Sequence, residues 1–391
     1  MTDVGLLVIG AGPAGHSAAG AYRAAGGTGS VLVLTIEGRL PYNRPPLSKD
    51  LLRGEVEPEQ ILLEDGDWYA ERDIAVRPGR AMVLDPGARV VALEDGSELR
   101  YAACVLATGA EPTRPPVPGA ELPGVRVLRT LDDALALRER AAPGARIVVV
   151  GSGFIGCEAA ASLRRRGCEV AMLSDETAPQ HARLGEEVGA RLAAWLEEAG
   201  VAARHGAAVE AIAETPAGSL RVEASTGPPL DADLVLLAAG VRPRSDLARE
   251  AGLALGDDDE VLAEPTMRTA ADGLLACGDC SRARHAIAGR PLHVEHWGDA
   301  LAQGEIAGTT AAGGAAEWTT VPGFWSTIGA HTLKYAAWGD GFDEVRVCDH
   351  GGGAFTAWYG AEGRCVGVLT HERDDDYEAG RERIAEGAAL P

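Results

Sequence analysis

The sequence predicts an α/β fold: two Rossmann-like units, each on a parallel sheet, followed by a small C-terminal α/β region. Three observations carry this. Leu6–Ile9 is an apolar run that leads into Gly10-x-Gly12-x-x-Gly15 and an alanine-rich stretch. Arg146–Val150 leads in the same way into Gly151-x-Gly153-x-x-Gly156. Beyond Trp318, short runs rich in β-branched and aromatic residues alternate with turn residues and end in a charged helical stretch.

The first unit begins with a buried strand over Leu6–Ile9 and a helix from about residue 14 to residue 25. Gly10 permits the tight turn, Gly12 lets backbone approach a diphosphate, and Gly15 lets the helix lie close to the strand. Pro13 suits the first helical turn, where its missing N–H is not needed. The helix N-terminus offers unpaired N–H groups and partial positive charge to phosphates. A second strand follows over residues 30–36. The prolines between Pro41 and Pro46 forbid regular structure there, and Ser48 reads as the N-cap of a short helix through Arg53. Short antiparallel strands are expected over residues 80–100, then a buried strand in Cys104–Gly109. The proline-rich stretch from Glu111 to Gly124 reads as the crossing into the second unit.

The second unit repeats the pattern, with a helix through about Arg166 and a strand over Glu169–Leu173. Two glycine motifs in one chain call for two dinucleotides, and the usual pair is FAD with a nicotinamide. Residues 231–245 give the last strand of this unit and return the chain to the first. A helix is expected from Gly298 onward. In the last region strands are expected at about 332–338, 344–348, 354–359 and 364–370, then a helix near 374–386.

The totals exclude several classes. At 391 residues the chain exceeds what one core serves. A net charge of −22 argues against nonspecific nucleic-acid binding. No apolar run reaches membrane-spanning length. The apolar N-terminus has the composition of a signal segment. Yet Asp3 precedes it, no Lys or Arg does, and the glycine motif interrupts it, so a cytoplasmic chain is expected. The seven cysteines, an odd number, read as reduced thiols. Only Lys49 and Lys334 are lysines in a chain rich in arginine. A lysine retained against that bias suggests a place where arginine would not serve.

PYNRPPLSK (residues 41–49) beside GAGPAG resembles the FAD-dependent, ferredoxin-reductase-like branch of the pyridine nucleotide oxidoreductases. That branch includes putidaredoxin and rubredoxin reductases, the reductases of aromatic-ring dioxygenases, and apoptosis-inducing factor. ATG at 107–109, GFIGCE at 153–158, GVRP at 240–243, GLLACGDC at 273–280, HVEHWGDALAQGEIAG from His293 and FWSTIG from Phe324 extend the resemblance over nearly the whole chain. It implies a glutathione-reductase-like arrangement. An FAD-binding domain would be formed by 1–113 with 240–318, an NAD(P)-binding domain by 114–239, and a C-terminal α/β domain by 319–391.

The resemblance also implies roles. FAD would be held by Gly10, Gly12, Pro13, Ala14, Gly15, Arg44, Lys49, Ala81, Thr108, Gly109, Asp279, His296 and Trp297. Its ribose carboxylate would be Glu37, one residue past the usual slot at Ile36. Arg114 is a candidate for the flavin diphosphate, although the usual arginine slot aligns with Thr113. NAD(H) would be held by Gly151, Gly153, Phe154, Ile155, Gly156 and Gly240, with Glu295 near the nicotinamide. Ser174 stands where the branch has its ribose glutamate, with Asp175 and Glu176 after it. Acid there repels a 2′-phosphate, so NADH is expected over NADPH. Lys49 and Glu158 would form an ion pair at the nicotinamide-facing side of the flavin and act as the catalytic pair. The helix dipole alone would favour a first-turn glutamate, but it does not account for the rare lysine.

Cys277-x-x-Cys280 could be a redox dithiol, but the resemblance gives this stretch to FAD. No cysteine precedes Cys104, which excludes the cysteine-pair chemistry of related branches. His293-x-Glu295-His296 could suggest a metal, and the flavin-lining reading accounts for it better. The expected activity passes electrons from NADH through flavin to a [2Fe–2S] ferredoxin of an oxygenase or P450 system. The alternatives are direct action on a small molecule or quinone, and a slow-turnover redox-sensing interaction protein. Monomer and homodimer both remain open. An acidic ferredoxin would need a local basic patch, for which Arg282, Arg284 and Arg290 are candidates. Arg164–Arg166 reads as a solvated helix end.

Overall fold

A computed structural model of the chain describes residues 2–391. The chain folds as two compact units. One holds residues 2–43, 62–111 and 242–324, and the other residues 44–61, 112–241 and 325–391.

The first unit is built on a seven-stranded sheet. The order is Ile74–Pro78, Val31–Thr35, Thr2–Ile9, Glu98–Leu106, Val90–Leu93 and Ala81–Asp85, with Leu274–Ala276 also on Glu98–Leu106. The glycine-motif strand lies parallel between Val31–Thr35 and Glu98–Leu106, in register Ile9 to Leu34 and Ile9 to Leu106. Leu6, Leu7 and Val8 are fully buried, and Leu7 packs in one cluster with Leu84, Val91 and Leu93 of the antiparallel strands. The strand ending at Leu106 starts at Glu98, so the expected antiparallel stretch and the expected Cys104 strand are joined in one nine-residue element. Its first half pairs antiparallel with Val90–Leu93 and its second half parallel with Leu274–Ala276.

Helix Pro13–Ala24 packs on helix Trp297–Ala311 at very short range. A Cβ on Gly304 would lie 2.2 Å from the Ala14 carbonyl oxygen, and one on Gly308 2.1 Å from that of Ala18. The second helix starts at Trp297, one residue before the expected Gly298, with His296 at its N-cap.

The second unit holds a five-stranded, all-parallel sheet in the order Ala202–Arg204, Glu169–Leu173, Arg146–Val150, Leu234–Leu237, Val125–Arg126. The expected last strand over 231–245 is divided. Leu230–Ala232 joins an antiparallel three-stranded sheet with Val209–Glu214 and Leu220–Ala224, and Leu234–Leu237 enters the parallel sheet. The C-terminal residues form a five-stranded sheet in the order Gly323–Ile328, His331–Ala337, Arg364–His371, Ala354–Ala361, Glu344–Gly351, closed by helix Asp374–Glu386. FWSTIG is its edge strand. Within this unit Trp195 stacks flat on His331, 4.7 Å between ring centres, and the Tyr359 hydroxyl donates to the Leu184 carbonyl at 3.1 Å.

The segment 44–61 packs with the second unit, and three contacts explain why. Ser162 Oγ donates to the Ser48 carbonyl at 2.8 Å, Arg166 Nη1 donates to the Arg53 carbonyl at 3.0 Å, and Lys49 meets Glu158. Arg166 also donates to the carbonyls of Ala141 and Arg138. It therefore straps the ends of three helices together and is not the solvated helix end its run of arginines suggested. Among the described residues no helix is long and apolar enough to cross a membrane.

Candidate functional site

Both glycine motifs have the geometry that a bound diphosphate requires. Gly10 has φ +116, and a Cβ there would lie 2.1 Å from the Ala107 carbonyl oxygen. A Cβ on Gly15 would lie 1.9 Å from the Gly10 carbonyl oxygen. These two glycines are steric necessities of strand–helix packing. Gly12 differs: a Cβ there would meet nothing within 4 Å. It is the N-cap of Pro13–Ala24, with no capping side chain and no acid in the first turn. The unsatisfied N–H groups of that turn therefore face open space, which fits an anionic diphosphate.

Two other predicted segments of the first unit pack beside this turn. Thr108 and Gly109 follow Ala107, and Thr108 Oγ1 donates to the Arg244 carbonyl at 2.6 Å. The turn Gly278–Cys280 carries Asp279 to the same place, since a Cβ on Gly278 would lie 3.0 Å from the Ala14 methyl. Glu37 is half-buried at the end of the second strand and accepts a hydrogen bond from the Tyr42 hydroxyl. Ile36 is 54% exposed, so Glu37 is the carboxylate at that strand end. Ala81 opens the outermost antiparallel strand. His296 sits 3.3 Å from the buried Asp299 through Nδ1, its ring 4.6 Å from that of Phe324. Trp297 is half-buried and Glu295 exposed.

The second motif matches the first. Gly151 has φ +103, and a Cβ there would lie 2.4 Å from the Ala238 carbonyl oxygen, while one on Gly156 would lie 2.3 Å from the Gly151 carbonyl oxygen. Helix Phe154–Arg165 again has a glycine N-cap, Gly153, no capping side chain and no acid in its first turn. Ile155 is 48% exposed. Ser174 is buried, and its hydroxyl hydrogen-bonds that of Ser152 at 2.7 Å. It is therefore engaged inside the unit. Asp175 is exposed, and Glu176 is half-buried and accepts from the Ala182 N–H at 3.3 Å. The Gly240 carbonyl accepts from the Thr113 N–H at 2.9 Å. Arg114 donates to the Ala120 carbonyl at 2.6 Å and pairs with Glu121, so its own loop holds it. Arg44 donates to the Arg129 carbonyl at 2.6 Å.

Lys49 and Glu158 meet at 2.6 Å, and both are buried, at 8% and 2% exposure. Glu158 Oε2 accepts from Lys49 Nζ and from Ser48 Oγ at 2.5 Å. Oε1 accepts from Ser326 Oγ at 2.7 Å and from the Thr327 N–H at 3.4 Å. Lys49 also donates to the Pro45 carbonyl at 3.2 Å. A buried carboxylate with four donors, one of them a cation, has its charge fully compensated. Ser48 is not the N-cap expected for the short helix. Pro45–Ser48 forms a 3₁₀ turn, helix Asp50–Arg53 starts after Lys49, and the Ser48 hydroxyl is spent on Glu158.

Two expectations are reassigned. His293 donates toward the fully buried Glu260, Nδ1 to Oε1 at 3.2 Å, and its Nε2 lies 3.0 Å from the Asp279 carbonyl. Among the described residues no group of three or more His, Cys, Asp or Glu could hold a metal ion. Glu260 also takes Arg282 at 2.6 Å, which removes that arginine from a docking patch; Arg284 stays exposed. Sequence reasoning missed Glu260, because a carboxylate after Asp257, Asp258 and Asp259 looks solvated. Burial pushes the Cys277 and Cys280 thiols up, away from the thiolate that dithiol chemistry needs.

A sequence model of the pyridine nucleotide-disulphide oxidoreductases matches residues 4–304. The chlorobenzene dioxygenase ferredoxin reductase component of Cupriavidus sp. (strain PS12) is 33% identical over 390 residues, 98% of this chain and 93% of that protein. The crystal structure of the ferredoxin reductase for the CYP199A2 system from Rhodopseudomonas palustris matches with a TM-score of 0.93 at 29% identity, over 98% of this chain and 95% of that one. The reductase in the covalent putidaredoxin reductase–putidaredoxin complex matches with a TM-score of 0.92 at 28% identity, over 99% and 94%.

Proposed function

The chain belongs to the pyridine nucleotide-disulphide oxidoreductase family, and we propose that it is the reductase that carries electrons from NADH to a [2Fe–2S] ferredoxin of an oxygenase or P450 system. The observation that carries this reading is the presence of two open glycine N-caps together with a buried, fully compensated Lys49–Glu158 pair. Its cofactors are FAD and NAD(H). A flavin held here would supply both two-electron chemistry toward a nicotinamide and one-electron chemistry toward an iron–sulfur centre.

The chain's own residues bind and orient. The N–H groups after Gly12 hold the flavin diphosphate, Glu37 the adenosine ribose, and Asp279 the far end of the same cofactor. The N–H groups after Gly153 hold the nicotinamide dinucleotide. Asp175 and Glu176 place negative charge where a 2′-phosphate would sit, which favours NADH. Lys49, held by Glu158, supplies a fixed positive charge beside the flavin ring, where reduction adds negative charge. Glu158 is fixed in turn by Ser48, Ser326 and Thr327, so the ammonium does not wander to water. The division into an FAD-binding part (1–113 and 240–318), a nicotinamide-binding part (114–239) and a C-terminal part (319–391) is part of the same proposal.

Steady-state turnover of the purified holoenzyme tests the reading. NADH should support reduction of a [2Fe–2S] ferredoxin many-fold faster than reduction of a quinone at equal concentration. Turnover of the quinone alone would move the assignment to a small-molecule acceptor.

A further inference from the structure

Gln180 follows strand Glu169–Leu173 as the N-cap of the short helix His181–Leu184, in left-handed backbone at φ +56. That conformation is costly for a side chain other than glycine. The residue is polar and only 9% exposed, and its carboxamide is bonded to no other group of the chain among the described residues, so what reaches it is solvent or a ligand. Its position shows where a partner could come from. A Cβ on Gly153 would lie 3.5 Å from Gln180 Nε2, and apart from the adjoining backbone no other atom comes within 4 Å of that point. The carboxamide is thus aimed at the N-terminus of the twelve-residue helix Phe154–Arg165, which has no capping side chain.

We propose that Gln180 is a dinucleotide-binding residue, whose carboxamide donates to the diphosphate, or to the ribose joined to it, of NAD(H) held at Gly153. The observations fit together on this assignment. The second unit has Ser174 where a ribose-binding carboxylate was expected, and the Ser174 hydroxyl is engaged by Ser152. Gln180 brings a polar group back to the same cradle from the next loop. The bound dinucleotide would give the carboxamide the hydrogen-bond partner that the chain does not. A neutral amide does this without adding charge against the diphosphate.

The inference rests on the proposed function, since it needs NAD(H) at the second motif. NAD⁺ binding is therefore measured by calorimetry on the wild-type holoenzyme first, and then on Gln180→Gly and Gln180→Glu. Glycine accepts φ +56 without strain, so Gln180→Gly should melt at or above the wild-type temperature. It should bind NAD⁺ roughly tenfold more weakly, the effect of losing one hydrogen bond to a charged group. Gln180→Glu keeps the shape and adds a negative charge, and should bind more weakly still. In turnover, KM for NADH should rise by the same factor as the binding constant, with kcat little changed. Wild-type binding together with Gln180→Gly binding within twofold of it, or tighter, would overturn the assignment. Failure of the wild type to bind NAD⁺ would instead overturn the reading on which it rests.

Discussion

Glu158 shows how one residue can be specified by several chain segments at once. Its donors come from residues 48–49 and 326–327, and the carboxylate itself stands on the second glycine helix. Removing Lys49 leaves the carboxylate buried without its cation, so Lys49→Met should cost about 3 kcal/mol of stability. It should keep FAD yet slow flavin reduction by NADH on the order of tenfold to a hundredfold, read by anaerobic stopped flow. Ser326→Ala leaves the ion pair and removes one donor, and should cost only about 1–2 kcal/mol in a denaturant melt. A titration prediction belongs to His16 on the first glycine helix. Its Nδ1 lies 2.7 Å from the Tyr69 hydroxyl, and burial lowers its pKa from 6.5 to about 4. The folded state thus favours the neutral ring. That stabilisation is fully present above about pH 6.5 and is lost as the pH falls toward 4. The melting temperature of His16→Gln should fall less over this window than that of the wild type. Lys49 and Glu158 were legible through the resemblance to the ferredoxin-reductase-like branch, which the rarity of lysine here supports. Ser48 was misread because a serine before a short helix looks like a cap.

Among the helices and strands, the two glycine helices were legible because their glycines are demanded by backbone clashes. The packing of Pro13–Ala24 on Trp297–Ala311 was not. Gly304 and Gly308 lie four residues apart, but only the fold shows that the Ala14 and Ala18 carbonyls sit where their Cβ atoms would go. Gly304→Ala should therefore force these helices apart and destabilise the first unit by about 1–3 kcal/mol. Its FAD occupancy after dialysis should fall, because both helices border the first glycine turn. The antiparallel sheet over Val209–Ala232 was also missed. Its strands have few consecutive apolar residues, with Glu210, Glu214, Arg221 and Glu223 on exposed positions, and half-exposed strands give a weak apolar signal.

For the molecule as a whole, the two nucleotide motifs, the family and the cofactor pair follow from ordered motifs along the chain. The partner surface does not, because a docking patch depends on which charges are already spent. Arg282 illustrates this: it stands two residues from Arg284 but is neutralised by Glu260. With a net charge of −22, the remaining exposed arginines should matter to an acidic ferredoxin. Arg284→Glu should raise KM for ferredoxin severalfold at low salt and leave flavin reduction by NADH unchanged. Electron flow from NADH through flavin to a ferredoxin is best tested by double-mixing stopped flow. The holoenzyme is mixed anaerobically with NADH or NADPH, then with a [2Fe–2S] ferredoxin. Fast bleaching of the flavin by NADH is expected, with slower bleaching by NADPH and rapid loss of the ferredoxin's oxidised absorbance in the second mix. Fast bleaching by NADH with no electron transfer to any ferredoxin would contradict the proposed role.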